Sequence, residues 1–76
     1  MKGREKMYIL GANIAARRIA CKLSQAELAE KAKTSAPMIS FIESNRKSPS
    51  IGLLVDIADA LDASVDELLG RESKRR

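Results

Sequence analysis

The sequence predicts an all-α fold, a compact domain of five helices. Two segments carry the capping-box signature of a helix start, a serine followed three residues later by a glutamate: Ser24 with Glu27, and Ser64 with Glu67. Apolar residues recur at helical spacing, and no segment alternates apolar and polar residues as a half-buried strand does. The 76 residues suffice for one domain, and a 45% apolar content with few aromatics suits a small helical core.

The predicted helices begin and end at identifiable residues. The first covers residues 9–21, and Ser24 caps the second. The third covers about residues 36–44, because Pro37 fits its first turn and Asn45 tolerates the left-handed backbone that ends it. The other caps are Ser50 and Gly70, and the residues expected to face inward are Leu10, Ile14, Ile19, Leu28, Ala29, Ala32, Ile39, Ile42, Ile51, Leu54, Ala58, Leu61, Val65, Leu68 and Leu69.

Charge is distributed unevenly along the chain. The net charge is +4, to which residues 1–50 contribute +6, residues 51–70 contribute −5 and residues 71–76 contribute +3. The first part is expected to attract anions and the second to be repelled by phosphate, although plain solvation of a small protein also accounts for such charges. We predict a flexible basic N-terminus over residues 1–8, a folded domain over residues 9–70 and a basic C-terminal tail after it.

The composition excludes several classes of site. The chain has no histidine and one cysteine, so it has neither an internal disulfide, nor a Cys/His zinc site, nor a His-dependent catalytic group. We therefore expect no enzyme activity, no metal and no cofactor, and Cys21 is expected to pack as a small apolar residue. No apolar run reaches the roughly 18 residues of a membrane span, and no signal peptide is evident, which predicts a cytoplasmic protein.

The second and third predicted helices are the most informative part of the sequence. The short joint over residues 33–35 separates them. Ile39 and Ile42 form the inner edge of the third helix, and its outer edge consists of Ala36, Pro37, Ser40 and Phe41. A helix held from behind, with short side chains in front, fits the major groove of duplex DNA.

This pattern resembles the Cro and phage-repressor helix-turn-helix family, also called the xenobiotic-response-element family, over about residues 10–69. The residues that carry the resemblance are Leu23-Ser24-Gln25-Ala26-Glu27-Leu28-Ala29, Ile39, Ile42-Glu43, Pro49-Ser50, Leu53-Leu54, Ile57-Ala58, Ala60-Leu61 and Ser64-Val65-Asp66-Glu67-Leu68-Leu69. The resemblance implies a lambda-repressor-like domain whose second and third helices form the helix-turn-helix. It also implies a transcriptional repressor that binds a palindromic operator in double-stranded DNA as a homodimer, and so associates with the nucleoid.

The resemblance implies roles for particular residues. Gln25, beside the cap Ser24, would approach a phosphate at the positive start of the second helix. Arg18 and Glu43 match an ion pair between the first and third helices, although an ordinary surface pair is the alternative. The positions that would face DNA bases are Ser35, Ala36, Pro37, Ser40 and Phe41, and the loop residues that would hold the DNA backbone are Arg46 and Lys47.

Several alternatives remain open at this point. Phe41 has three candidate roles: contact with thymine methyl groups, contact with a protein partner, or a place in the core. Lys22 and Lys33 stand where the family often has glycine, so either these turns adopt another geometry or a left-handed lysine, at a cost of roughly 1 kcal/mol, is tolerated near DNA. The predicted dimer contacts are Leu68, Leu69 and the neighbouring apolar residues of the fourth and fifth helices. The alternative function is an antitoxin or other protein-interaction module of the same fold.

Overall fold

The computed structural model describes residues 2–71, with side chains from residue 9 onward, and these residues form five α-helices without a strand. The helices are α1 (Lys2–Ala20), α2 (Gln25–Ala32), α3 (Ala36–Glu43), α4 (Ile51–Ala60) and α5 (Val65–Leu68). The all-α prediction is confirmed. The predicted start of the first helix at Ile9 is wrong, because α1 begins at Lys2; the flexibility of residues 1–8 stays a prediction, and residues 72–76 of the predicted tail lie outside the described residues.

Serine side chains cap the N-termini of four helices. In each case the serine Oγ accepts a hydrogen bond from the backbone N–H three residues later, at 2.9–3.2 Å. The two predicted capping boxes are complete, since the N–H of Ser24 donates to Glu27 and that of Ser64 donates to Glu67, each at 2.8 Å. These hydrogen bonds satisfy backbone groups that a helix end otherwise leaves unpaired. The four caps are Ser24, Ser35, Ser50 and Ser64.

Every helix ends on a left-handed residue, and only one of the five is glycine. These residues, with φ between 54° and 77°, are Lys22, Lys33, Asn45, Asp62 and Gly70. After α3, for example, the N–H of Asn45 donates to Ile42 O and the N–H of Arg46 donates to Phe41 O, which is the Schellman arrangement. The alternative of a different turn geometry at Lys22 and Lys33 is therefore wrong, because both lysines adopt the left-handed backbone at φ 62°.

The left-handed lysine between α2 and α3 yields a first prediction. We expect Lys33→Gly to raise the free energy of unfolding by about 1 kcal/mol, because glycine adopts this backbone without a steric cost. Lys31→Gly, inside the last turn of α2, is the matched control and should lower the free energy of unfolding by about 1 kcal/mol. Urea denaturation followed by circular dichroism measures both changes. A Lys33→Gly variant that is less stable than the wild type would contradict the strain argument.

The core lies where the inner faces of the five helices meet. Its buried residues are Leu10, Ile14, Leu28, Ala29, Ala32, Ile39, Ile42, Ile57, Ala58, Leu61 and Leu68, with Leu54, Val65 and Leu69 packed against them. The prediction that Ile19 and Ile51 lie in the core is wrong, since Ile19 is 64% exposed and Ile51 is 82% exposed. Ile19 lies about 140° around α1 from Ile14, and Ile51 is the first residue of α4, beyond the end of the core. The prediction also missed Ile57, which is fully buried.

Two further predictions about single residues are wrong. Cys21 is exposed, because it lies in the turn after α1, although its Sγ is 3.8 Å from Leu61 O. Leu68 is only 2% exposed and is part of the core, so it is unable to serve as a dimer contact. The exposed large apolar side chains of α4 are Ile51 and Val55, so the part of the prediction that concerns apolar residues of the fourth helix stays a prediction.

Side chains of α1 hold the ends of α4 and α5. Arg17 donates from Nε to Leu61 O at 3.1 Å and from Nη2 to Asp62 O at 2.7 Å. Asn13 donates from Nδ2 to Leu68 O at 3.0 Å. Carbonyl groups at helix C-termini lack partners within their own helix, so these bonds both satisfy them and fasten the two helices to α1.

Candidate nucleic-acid interface

Helix α3 has a buried back and an accessible front. Ile39 and Ile42, the predicted inner edge, are 0% and 2% exposed. On the front, Pro37 and Ser40 are exposed, whereas Ala36 and Phe41 are half-buried. Ser35, which is exposed, accepts the N-cap hydrogen bond from the N–H of Met38. The front of α3 is thus a short, uncharged surface, and the opposite side of the helix is buried in the core.

Phe41 connects this front to the loop that follows α3. Its carbonyl oxygen accepts hydrogen bonds from the N–H of Arg46 at 2.8 Å and of Lys47 at 3.3 Å. Its ring lies 5.6 Å from Lys47 Nζ, a cation–π contact. Phe41 lies outside the buried core, so the third alternative, a core role, is wrong. The structure brings the two exposed loop cations, Arg46 and Lys47, to the end of the α3 front.

A network centred on Glu43 fixes α3 to α1 and α2. Arg18 donates to Glu43 through Nε at 2.7 Å and through Nη2 at 3.1 Å, and its Nη1 donates to Leu23 O at 2.9 Å. The side chains of Arg18 and Glu43 are only 15% and 8% exposed, so the alternative of an ordinary surface pair is wrong. The hydrogen bond with Glu43 raises the pKa of Arg18, against the lowering effect of burial, so the guanidinium stays charged.

Gln25 belongs to the same network. Its Nε2 donates to Glu43 Oε1 at 2.9 Å, which ties the first residue of α2 to the last residue of α3. The Gln25 side chain is half-buried, and the adjacent Ser24 Oγ is engaged in the N-cap of α2. The structure therefore gives Gln25 a positioning role that the sequence analysis missed, while its contact with phosphate stays a prediction.

Gly11 allows α1 to lie directly against the end of α3. A Cβ atom added at this glycine would lie 2.6 Å from Asn45 Oδ1, 2.7 Å from Ile42 O and 2.8 Å from Glu43 O. These separations are shorter than van der Waals contact, so only a residue without a side chain permits this approach. The sequence analysis missed Gly11, because a glycine within a helical pattern gives no sign of which helix lies against it.

The acidic residues of segment 51–70 lie apart from this surface. α3 packs on α1 and α2, whereas the five acidic residues of segment 51–70 lie on α4, on α5 and in the turn between them. Within residues 9–71, no group of three or more acidic or cysteine side chains is arranged to hold a metal ion. No helix in the described part of the chain is long and apolar enough to cross a membrane.

Comparison with known proteins decides the family. A helix-turn-helix family model matches residues 14–68. The chain belongs to the helix-turn-helix family. The predicted family and the five-helix, lambda-repressor-like fold are therefore confirmed, and α2 and α3 are the two helices of its helix-turn-helix.

The relatives of this helix-turn-helix chain are named as regulators. An immunity repressor protein of Bacillus phage phi105 is 39% identical over 64 residues, and the match covers 84% of this chain but only 44% of that repressor. The chain thus spans less than half the length of this curated relative. Among solved structures, the clp gene regulator ClgR of Corynebacterium glutamicum is 34% identical at a TM-score of 0.80, with 84% of this chain and 68% of ClgR covered.

A further solved neighbour of this helix-turn-helix chain is described in complex with DNA. The P22 c2 repressor, crystallised with a synthetic operator, is 33% identical at a TM-score of 0.79, and the match covers 83% of this chain and 96% of the repressor. These relatives carry the names of gene regulators rather than of enzymes.

Proposed function

We propose that this chain is a sequence-specific, double-stranded DNA-binding transcriptional regulator, a repressor that acts as a homodimer on a palindromic operator in the cytoplasm. One observation carries the proposal: α3 is buried at its back and accessible at its front, and the exposed cations Arg46 and Lys47 lie at the end of that front. The helix-turn-helix family match and the similarity to the operator-bound P22 c2 repressor support it.

In the proposed mechanism, α3 enters the major groove while the residues around it bind the sugar-phosphate backbone. Arg46 and Lys47 bind phosphates at one end of α3, and the start of α2, at Gln25 beside the cap Ser24, binds a phosphate through backbone N–H groups outside the capping box. The Arg18–Glu43 pair keeps α3 at a fixed angle to both anchors. Repression follows from occupation of a promoter, and it requires no catalysis, cofactor or metal.

The proposed base contacts are apolar. Ser35 and Ser40 are the only polar side chains among the proposed base-facing positions, and no Arg, Asn or Gln is present there for a two-point hydrogen bond to a base. Ala36, Pro37 and Phe41 supply methyl, ring and methylene carbons, which match the methyl group of thymine in the major groove. We therefore propose that the operator half-site contains thymines opposite this front.

A homodimer supplies the specificity that one short helix lacks. Two copies related by a two-fold axis would place their α3 helices in successive major grooves, about 34 Å apart. With Leu68 buried, we propose that Ile51 and Val55, four residues apart on the outside of α4, form the contact near the two-fold axis. The aspartates of α4 keep this side of the molecule away from the phosphates.

Selection of bound duplexes from a random DNA pool tests the proposed function directly. We expect a palindrome whose half-sites are about 10 base pairs apart, with thymines in each half-site. Selection without any enrichment, together with no association with mixed-sequence duplex at low ionic strength, would refute DNA binding. Enrichment of a single half-site without a palindrome would refute the homodimer alone.

The loop cations give a prediction about salt dependence. We expect Arg46→Ala and Lys47→Ala each to reduce the slope of log affinity against log salt by about one unit, because each removes one phosphate contact. Lys31→Ala, an exposed lysine on the far end of α2, is the control and should leave the slope unchanged. Fluorescence anisotropy titrations over a series of salt concentrations provide the measurement. Equal slopes for wild type, Arg46→Ala and Lys47→Ala would exclude the loop from the interface.

The apolar front gives a prediction about base preference. Replacing a contacted thymine with uracil removes one methyl group, so we expect wild-type affinity to fall about fourfold, the equivalent of about 0.8 kcal/mol. Where the replaced thymine is the one that contacts Phe41, the Phe41→Ala variant should bind the thymine and uracil operators equally. Lys47→Ala is the matched control, because it removes the cation from the Phe41 ring but should keep the preference for thymine. An unchanged preference in Phe41→Ala would show that Phe41 does not read the methyl group.

The second candidate function is a protein-interaction module, such as an antitoxin. The small and apolar front of α3 favours it, since such a surface also suits a protein partner. Recovery of a protein bound in equal amounts to this chain, whose binding is lost in Phe41→Ala, would support this candidate. Recovery of the chain alone, with a selected operator in hand, would reject it.

A further inference from the structure

The side chain of Lys47 folds back onto the end of α3 instead of extending into solvent. Its Nζ lies 5.6 Å from the centre of the Phe41 ring, and its backbone N–H donates a hydrogen bond to Phe41 O at 3.3 Å. The left-handed backbone of Asn45 reverses the chain at this point and makes the return possible. Lys47 is therefore attached to one residue, Phe41, through both its main chain and its side chain.

The neighbouring cation, Arg46, has only the main-chain half of this attachment. Its N–H donates to Phe41 O at 2.8 Å, but within residues 9–71 its guanidinium makes no hydrogen bond, ion pair or ring contact. In the same part of the chain the Lys47 ammonium forms no ion pair, so the Phe41 ring is the group that holds it. The two adjacent loop cations thus differ, because the Lys47 side chain is held in place and the Arg46 side chain is not.

We propose that Phe41 positions Lys47 for a phosphate of the DNA backbone, in addition to the base contact proposed above. This inference rests on the proposed DNA binding. A free lysine side chain samples many rotamers of its four-carbon stem, and fixing one of them on a phosphate costs conformational entropy. The Phe41 ring restricts Lys47 to rotamers that hold the ammonium at the end of α3 before DNA binds, so less entropy is lost on binding.

The contact with the ring is compatible with a contact to phosphate. A lysine ammonium is compact and has three N–H donors, and an aromatic face occupies only one side of it. Lys47 is exposed, so a phosphate oxygen is able to approach from the side opposite the ring. Phe41 is half-buried and belongs to α3, so its ring provides a fixed support for the flexible lysine.

The strength of a cation–π contact sets the expected size of the effect. At an exposed site such a contact corresponds to about a two- to fivefold change in an equilibrium constant. We expect Phe41→Leu, which keeps an apolar side chain but removes the ring, to lower the affinity for mixed-sequence duplex by about two- to fivefold. Phe41→Tyr keeps the ring and should bind as the wild type does. Mixed-sequence duplex is the probe because phosphate contacts are independent of base sequence.

A double-mutant cycle distinguishes positioning of Lys47 from general damage to α3. In a Lys47→Ala background, Phe41→Leu should leave the affinity for mixed-sequence duplex unchanged, because no ammonium remains to be positioned. In an Arg46→Ala background, Phe41→Leu should still lower the affinity by about two- to fivefold, since the ring contact involves Lys47 alone. An equal loss of affinity in the wild-type and Lys47→Ala backgrounds would overturn the proposal.

NMR spectroscopy of the free chain tests the ring contact without DNA. The Lys47 protons next to Nζ should resonate upfield in the wild type, because the face of a nearby aromatic ring shields them, and Phe41→Leu should remove this shift. Lysine resonances at their ordinary position in the wild type would refute the contact. Failure of the wild type to bind any duplex would refute the proposed function and this inference together. Normal duplex binding without coupling between Phe41 and Lys47 would refute the positioning role alone.

Discussion

Replacing Glu43 with alanine is expected to lower the free energy of unfolding by about 3–5 kcal/mol. Glu43 accepts two hydrogen bonds from Arg18 and one from Gln25, and both members of the ion pair are more than four-fifths buried. The alanine variant leaves a guanidinium shielded from water without its counter-ion. A domain of this size has a total stability of about 4–11 kcal/mol, so the variant loses a large part of it and is largely unfolded if the wild type lies at the lower end of that range.

Urea denaturation and circular dichroism measure this loss, with Glu30→Ala as the matched control. Glu30 is an exposed carboxylate on α2, and its removal should change stability by less than about 0.5 kcal/mol. Because Glu43 raises the pKa of Arg18, the arginine's contribution is present below its unfolded-state pKa and is lost only in strongly alkaline solution. A folded Glu43→Ala variant of near wild-type stability would show that the Arg18–Glu43 ion pair does not stabilise the fold.

Replacing Gly11 with alanine is expected to cost about 1–3 kcal/mol of stability, a typical range for an overpacked contact. The added methyl group would meet the carbonyl oxygens of Ile42 and Glu43, which are backbone atoms and therefore unable to rotate away. α1 and α3 must then separate, which also strains the neighbouring ion pair. We expect operator affinity of the folded fraction to fall as well, because the end of α3 that leads into Arg46 and Lys47 is displaced.

Gly52→Ala is the matched control, and it should raise the free energy of unfolding rather than lower it. Nothing lies within 4 Å of a Cβ atom added at Gly52, and the residue is in the first turn of α4. Alanine restricts the unfolded chain more than glycine does, so this variant should gain about 0.5–1 kcal/mol. Thermal denaturation of the Gly11→Ala and Gly52→Ala variants measures both changes in stability. Equal effects of the two substitutions would mean that the close approach of α1 to α3 is not essential.

The predictions that proved correct concern residues close together in the chain. Ser24 and Glu27 are three residues apart, and their two hydrogen bonds form within a single turn. The start of α2 can therefore be predicted from the local sequence, without knowledge of how the helices pack. The same holds for Ser64 and Glu67 at α5. Ile39 and Ile42 lie on one side of a short helix, and helical periodicity alone places them together at its back.

The prediction of the ion pair depended on resemblance instead. Arg18 and Glu43 are 25 residues apart, and neither periodicity nor capping brings them together. Their match to a family pattern located the pair, but the burial that decides its energy came from the packing of α1, α2 and α3. Gln25 entered the pair's network for the same reason, since its position at the start of α2 faces the end of α3 only in the folded chain.

The sequence by itself determined the class of fold, the caps, the inner edge of α3 and the family, because these depend on hydrogen bonds and side-chain periodicity within one or two turns. Only the tertiary structure decided the exposure of Ile19 and Ile51, the role of Gly11, and the attachment of Arg17 to carbonyl groups 44 and 45 residues away. These features depend on where one helix crosses another. That crossing is set by the joint packing of the whole core, which no local segment encodes.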